Sequence, residues 1–312
     1  MKIAIVGGGA MGGVWAVLLS KRGHQVSVVD VSAQLVDTIN ADGLAIVEAP
    51  RADAAIRDQV RIQATSQPAE VGVCDAVFFF VKAQHTASAA GLAAPLVSQE
   101  TTVVSLQNGW GNADVLARSF APEQIVVGVT YHSATTVASA RVAHTGKGPT
   151  FVGPYKDGAS LERTELISRV LNEAGVENTA TAQVKTEIWK KLILNAATLP
   201  TSSLTRLRSV ELGQPGPLLD LVDAVTAEAV QVAQALGYEI AYEERVERIH
   251  TILAGAGAGK SSMLQDVEAQ RKTEIEVVNG AVVRAAQQVG IATPLNQALV
   301  ALINGLERSW QR

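Results

Sequence analysis

Gly7-Gly8-Gly9-Ala10-Met11-Gly12 follows an apolar run, Lys2–Val6, and opens a helical pattern, Ala10–Arg22. A G-x-G-x-x-G set between strand and helix is a pyrophosphate seat. Gly7 permits the tight turn, Gly9 lets the backbone approach the phosphates, and Gly12 lets helix and strand pack closely. The helix start at Ala10 and Met11 then aims its N–H groups at the anion. Asp30 ends the second apolar run 18 residues beyond Gly12. A carboxylate there accepts both ribose hydroxyls of NAD and repels the 2′-phosphate of NADP. Val31 and Ser32 supply no arginine against it, so NAD is the favoured cofactor and NADP stays open. The competing use of Asp30, capping the next helix, can be met by Ser32.

A second set of polar residues lies in Glu187-Ile-Trp-Lys-Lys-Leu-Ile-Leu-Asn195. Lys191 and Asn195 stand four apart and share one helix face. A polar pair on an otherwise apolar helix suggests a face that lines a cleft. Glu187 and Lys191 are also four apart and could form a surface ion pair, so spacing leaves both readings open. Ala254–Ser261 imitates a phosphate loop, yet it follows the charged helical pattern Glu243–Leu253 rather than a strand, so we read it as a loop between helices.

These residues need elements to hold them. Up to about residue 183, apolar runs at Lys2–Val6, Gln25–Asp30, Asp75–Val81, Thr102–Leu106 and Gln124–Val127 alternate with helical patterns at Ala10–Arg22, Ser32–Asn40, Thr86–Val97 and Asn112–Phe120. That alternation predicts a mostly parallel, doubly wound sheet covered by helices. Val129–Ser133, Ala140–His144 and Thr150–Gly153 read as short strands with some antiparallel pairing. From Val184 onward the spacing is helical: Val184–Thr198, Leu218–Leu236, Glu243–Leu253, a long segment around Met263–Val289, and Leu295–Glu307 after Pro294. The expected organisation is an α/β Rossmann domain over 1–183 followed by an all-α domain over 184–312.

At 312 residues the chain exceeds one ordinary domain. A net charge of -4 provides no basic footprint for nucleic acid. No run of about 18 apolar residues could span a bilayer. Gly7, Gly8, Gly9, Gly12 and Gly13 interrupt the N-terminal run where an export signal would be continuous, so a cytoplasmic protein is expected. Cys74 is the single cysteine and cannot form an internal disulfide; it reads as an inert core thiol. His24, His85, His132, His144 and His250 lack metal-ligand spacing, and no metal is expected.

Beyond Lys2–Gly12, the chain carries Val81-Lys82-Ala83, Leu106-Gln107-Asn108-Gly109, Trp189-Lys190-Lys191-Leu192 with Asn195, and Ser261-Ser262-Met263-Leu264-Gln265-Asp266. Thr273-Glu274-Ile275, Asn279-Gly280 and Gly290-Ile291-Ala292-Thr293-Pro294 with Asn296 follow. In order and spacing, nearly end to end, these blocks resemble the ketopantoate reductase (2-dehydropantoate 2-reductase) family. The resemblance implies reduction of a small-molecule 2-oxo acid with NAD(P)H, ketopantoate to pantoate in the family.

It also implies roles. Lys191 matches the catalytic lysine that protonates the carbonyl oxygen as hydride arrives. Asn108 and Asn195 match residues that hydrogen-bond the substrate and orient it near the nicotinamide, Asn108 counting also among the cofactor-binding residues. Ser262 matches a substrate-carboxylate contact, Glu274 a carboxylate holding a substrate hydroxyl or the lysine, and Lys82 a lysine on the cofactor side. Helix capping by Ser262 and a solvated surface charge at Lys82 remain alternatives. Leu199 departs from the family, which commonly has a second asparagine one turn beyond Asn195; that puts ketopantoate itself in question and points to a more apolar oxo acid. A non-catalytic dinucleotide sensor is the rival of another class, though it would need only the Rossmann half. A homodimer is an open option.

Overall fold

The structure, a computed structural model, describes residues 1–257 and 259–310. It divides into two compact units, Met1–Gln107 with Asn112–Val184, and Asn108–Gly111 with Lys185–Arg312.

The first unit begins with β1 (Lys2–Val6), α1 (Ala10–Ser20), β2 (Gln25–Val29), α2 (Ala33–Asp42), β3 (Leu44–Val47), β4 (Ile56–Val60) and β5 (Gln63–Thr65). It continues through β6 (Ala76–Phe79), α3 (Thr86–Leu92), β7 (Thr102–Ser105), α4 (Asn112–Leu116) and β8 (Ile125–Thr130). Then come β9 (Ser133–Ala138), β10 (Arg141–Gly146), β11 (Thr150–Pro154), α5 (Glu162–Glu173) and β12 (Asn178–Ala180). Eight strands form the main sheet in the order β12-β11-β8-β7-β6-β1-β2-β5. Every neighbouring pair is parallel except β8 with β11, so the antiparallel pairing expected at the end of this half occurs there. Strands β1, β6 and β8 are almost wholly apolar and buried, as strands covered on both faces must be, and β7 is buried throughout with Thr102 and Ser105 at its ends.

Helix α1 lacks a polar face: Val14, Trp15, Ala16, Val17 and Leu19 are all buried. A helix apolar all round must be covered all round. The cover is a second sheet, β4-β3-β10-β9, packed against α1 on the side away from the main sheet. Trp15 stacks on Phe80, ring centroids 5.7 Å apart, and Gly13 leaves room for Val142 of β10. Of its strands only β10 falls on a run read above, Ala140–His144; β3, β4 and nearly all of β9 are absent from that pattern. Its edge strand β4, Ile-Arg-Asp-Gln-Val, is mostly polar and carries no strand periodicity of its own.

The second unit holds α6 (Val184–Thr205), α7 (Ser209–Leu212), α8 (Pro217–Ala235), α9 (Tyr242–Ala254), α10 (Ser262–Glu268), α11 (Asn279–Val289) and α12 (Pro294–Ser309). Its core is built from Trp189, Leu192, Ile193, Ala196 and Ala197 of α6 with Val222, Val225, Ala229, Val282 and Leu299. Two expectations are corrected. The segment around Met263–Val289 is two helices, broken where Gln270 takes a positive φ of 51° and Glu307 accepts from both Thr273 N–H (2.8 Å) and Oγ (2.7 Å). Apolar spacing persists across the break because Ile275 and Val278 of the connection are buried as well. Helix α6 does not stop at Thr198 but continues through Pro200. The glycine-rich stretch after α9 contains Ala258, which lies outside the described residues; α9 itself is a helix, so a phosphate-loop strand is missing there. Among the described residues no helix is long and apolar enough to cross a membrane.

Candidate active site

In the first unit the loop from β1 to α1 forms a cradle. Gly7 has φ +97°, and a Cβ there would meet the Val81 backbone N at 2.9 Å. A Cβ on Gly12 would fall 1.9 Å from the Gly7 carbonyl oxygen, so helix and turn can touch only because that residue is glycine. Around Gly9 nothing lies within 4 Å of the Cβ position, and Gly9 brings no side chain to accept from the first turn of α1. The first N–H groups of α1, from Ala10 and Met11, thus have no side-chain cap and stand at the positive end of the helix dipole. A pyrophosphate fits that cradle.

Asp30 sits at the end of β2. Its Oδ2 accepts from Gly8 N–H (2.8 Å) and its Oδ1 from Ser32 N–H (2.9 Å), while Ser32 Oγ caps α2 through Leu35 N–H (3.3 Å). The carboxylate therefore ties the glycine loop to β2, and helix capping falls to Ser32. Each carboxylate oxygen keeps a second lone pair for a ribose hydroxyl.

Lys82 follows Val81, whose backbone lies against Gly7, so its loop adjoins the cradle. Gln107, whose role is not evident from the sequence, fixes that loop. Its Nε2 donates to Val81 O and to Thr86 Oγ1, both at 2.9 Å, and its Oε1 accepts from Ser105 Oγ (3.0 Å). The only available signal was its place in the Leu106–Gly109 block.

In the second unit α6 presents Lys191. Glu187 pairs with Lys190 (2.8 Å), not with Lys191, which decides between the two readings of that stretch. Lys191 Nζ instead donates to Asn108 Oδ1 at 2.8 Å. Asn108 is carried by the four-residue segment that belongs to this unit, and that segment is anchored on Val277. Trp110 N–H donates to Val277 O (2.9 Å), and a Cβ on Gly109 (φ +86°) would lie 2.4 Å from the same oxygen. The Trp110 ring packs at 5.6 Å from Trp189 and 6.1 Å from Tyr238. The sequence around Trp110 carries no signal of this role, because its partners are remote in the chain.

Burial pushes the Lys191 ammonium down to about 8, and the nearby Glu274 carboxylate opposes that shift. Lys191, Asn108 and Glu274 are thus brought together. Asn195 lies one turn further along α6, 8% exposed. Leu199, a turn beyond, packs on the apolar cluster of Met263, Ile275 and Ile303. Ser262 is exposed at the first turn of α10 and is not hydrogen-bonded to the Lys191 group; the cap of α10 is Ser261, which accepts from Leu264 N–H (3.3 Å) and also meets Ser202 Oγ at 3.1 Å. Helix capping is therefore not the task of Ser262.

Residues 3–157 match the family described as Ketopantoate reductase PanE/ApbA, and residues 183–307 its C-terminal counterpart. The 2-dehydropantoate 2-reductase of Archaeoglobus fulgidus is 31% identical over 98% of both chains, and that of Vibrio cholerae is 31% identical over 100% of both. Among solved structures, a D-mandelate dehydrogenase with NADH and anilino(oxo)acetate superposes with a TM-score of 0.91 at 25% identity, covering 99% of both chains. A ketopantoate reductase from Ralstonia eutropha JMP134 does so at 0.87 with 31% identity, covering 100% of both. The chain is a nicotinamide-dinucleotide-dependent oxidoreductase acting on a CH–OH group, as its family match and its relatives show. It belongs to the ketopantoate reductase family.

Proposed function

We propose that this chain reduces the keto group of a 2-oxo acid, with Lys191 as the proton donor and NADH as the favoured reductant. The observation that carries the reading is Lys191 itself: an ammonium held near pKa 8 by burial, hydrogen-bonded to Asn108 and opposed by Glu274. A dinucleotide held in the glycine cradle would supply the hydride for the carbonyl carbon. Negative charge then develops on the carbonyl oxygen, where Lys191 stabilises it and delivers a proton. Asn108 orients the lysine and, with Asn195, offers amide groups to the substrate. Gly7, Gly9, Gly12 and the N–H groups at Ala10 and Met11 hold the pyrophosphate, Asp30 the ribose, and Lys82 lies on the same side. Ketopantoate is the first candidate substrate, supported by the names of the relatives that are 31% identical. Steady-state assays of a panel of 2-oxo acids with NADH test the reading; no turnover of any would end it and leave a dinucleotide-binding protein.

The proton donor sets a pH dependence. Lys191 must be protonated to act, so reduction is expected to be full below its pKa and to fall as pH rises through about 8. Glu274 raises that pKa, so Glu274→Gln is expected to move the alkaline limb of kcat/KM to lower pH. An unchanged or upward-shifted limb would remove Glu274 from the proton donor's surroundings.

Leu199 supports a second reading, an acid less hydroxylated than ketopantoate. Leucine gives a buried substrate hydroxyl no partner, at a cost on the order of 1–3 kcal/mol. Leu199→Asn is expected to shift the kcat/KM ratio towards ketopantoate, over an apolar 2-oxo acid of similar size, by about ten- to a hundredfold. If the unaltered enzyme already favours ketopantoate strongly and the ratio does not move, Leu199 does not meet the substrate.

A further inference from the structure

Helix α6 carries the proposed proton donor and also a proline in its interior, Pro200. Proline has no N–H, so the carbonyl four residues earlier, that of Ala196, loses its helical donor. Ala196 is fully buried and follows Asn195 directly. Its oxygen is nevertheless satisfied, because Asn279 Nδ2 donates to it at 2.9 Å. The neighbouring carbonyl of Ala197 accepts from Thr201 Oγ (2.9 Å), a bond made within the helix. Ala196 thus draws its side-chain donor from another helix.

Asn279 is itself held. It is fully buried at the start of α11, and its Nδ2 also donates to Asn296 Oδ1 (3.0 Å). Asn296 Nδ2 donates to Glu228 Oε2 (2.8 Å). The Glu228 carboxylate in turn accepts from Leu295 N–H (2.9 Å) and Asn296 N–H (3.0 Å), the first turn of α12. A chain of side-chain bonds therefore runs from the broken point of α6 through α11 and α12 to α8.

We propose that Asn279 is a positioning residue: its amide replaces the N–H that Pro200 lacks and so fixes the turn of α6 bearing Asn195 and Lys191. A helix interrupted by proline can bend about that point. Locking the Ala196 carbonyl to Asn279 leaves one bend. The inference rests on the reading of Lys191 as proton donor, and a small displacement of such a group costs up to about 10²-fold in rate.

The test is a double substitution. Asn279→Ala is expected to lower kcat about ten- to a hundredfold while the Kd for NADH stays unchanged. Pro200→Ala restores a backbone N–H for Ala196 and is expected to leave kcat near the unaltered value. Combined with Asn279→Ala, it is expected to recover most of the lost kcat, while Tm stays depressed because Asn296 remains without its donor. A purely structural role for Asn279 would show no such separation of kcat from Tm. Where Asn279→Ala fails to fold, Asn279→Leu keeps the side-chain volume and takes its place.

The pKa of Lys191, followed by NMR after reductive 13C-methylation of the lysines, supplies a readout without substrate. It is expected to move in the Asn279 variant and to return in the double variant. A folded Asn279 variant with unaltered kcat, or a double variant as impaired as the single one, overturns the proposal. If no 2-oxo acid is turned over by the unaltered protein, the functional reading fails, and the Lys191 titration alone decides whether Asn279 positions α6.

Discussion

Lys191→Ala is expected to lower kcat for 2-oxo acid reduction by about 10²–10⁴-fold, the usual contribution of a general acid, with NADH affinity almost unchanged. The expectation follows from what the side chain touches. Lys191 donates to Asn108 on the four-residue segment anchored at Val277, and its surroundings are the second unit's, while the glycine cradle is built entirely by the first. Loss of the ammonium removes both the charge that stabilises a developing alkoxide and the proton that quenches it. The control is Lys190→Ala. Lys190 is engaged with Glu187 in a partly exposed pair, which is worth no more than about 1 kcal/mol, so little change in kcat is expected. Lys191→Arg is not expected to rescue, because a guanidinium does not release its proton near neutral pH. Stopped-flow measurement of the hydride step, with NADH binding followed by fluorescence, separates chemistry from affinity. A Lys191→Ala enzyme with full kcat, or a Lys190→Ala enzyme with the large loss, would transfer the role elsewhere.

A preference for NADH over NADPH is the second large effect expected. Asp30 presents its carboxylate at the end of β2, with Val31 beside it 81% exposed and no cation in the next two positions. A 2′-phosphate about 5 Å from that carboxylate meets a repulsion of roughly 3 kcal/mol at an effective dielectric near 20, less where salt screens it. With screening reducing this to about 1.4–2.8 kcal/mol, the kcat/KM ratio is about ten- to a hundredfold in favour of NADH. Asp30→Asn is the informative substitution. It removes the charge but retains one oxygen to accept from Gly8 N–H, whereas alanine would also release the glycine loop. The expected result is a narrowed gap between the two cofactors. A clear preference of the unaltered enzyme for NADPH would show that basic groups elsewhere outweigh Asp30.

How legible these features are in the sequence depends on how far apart in the chain their partners lie. The dinucleotide cradle can be read from residues 2–30 because it is local. Three glycines, one strand and one helix start occupy adjacent positions, and the backbone contacts between Gly7 and Gly12 follow from that adjacency. The change from apolar runs covered on both faces to 3.6-residue spacing is equally visible, whereas the membership of Asn108–Gly111 in the second unit is not. The face shared by Lys191 and Asn195 is likewise set by helical geometry.

The partners on that face were decided by tertiary structure. Spacing allowed Lys191 to pair with Glu187, yet Glu187 took Lys190, and Lys191 met Asn108, 83 residues away. Local spacing tells which side of a helix a group occupies but carries no information about what another segment brings to that side. The same limit hid all but one strand of the small sheet over α1, the break between α10 and α11, and the continuation of α6 through Pro200. Proline ordinarily marks a helix end because it leaves a carbonyl without its donor. Here the fold places the Asn279 amide against that carbonyl, and the helix continues.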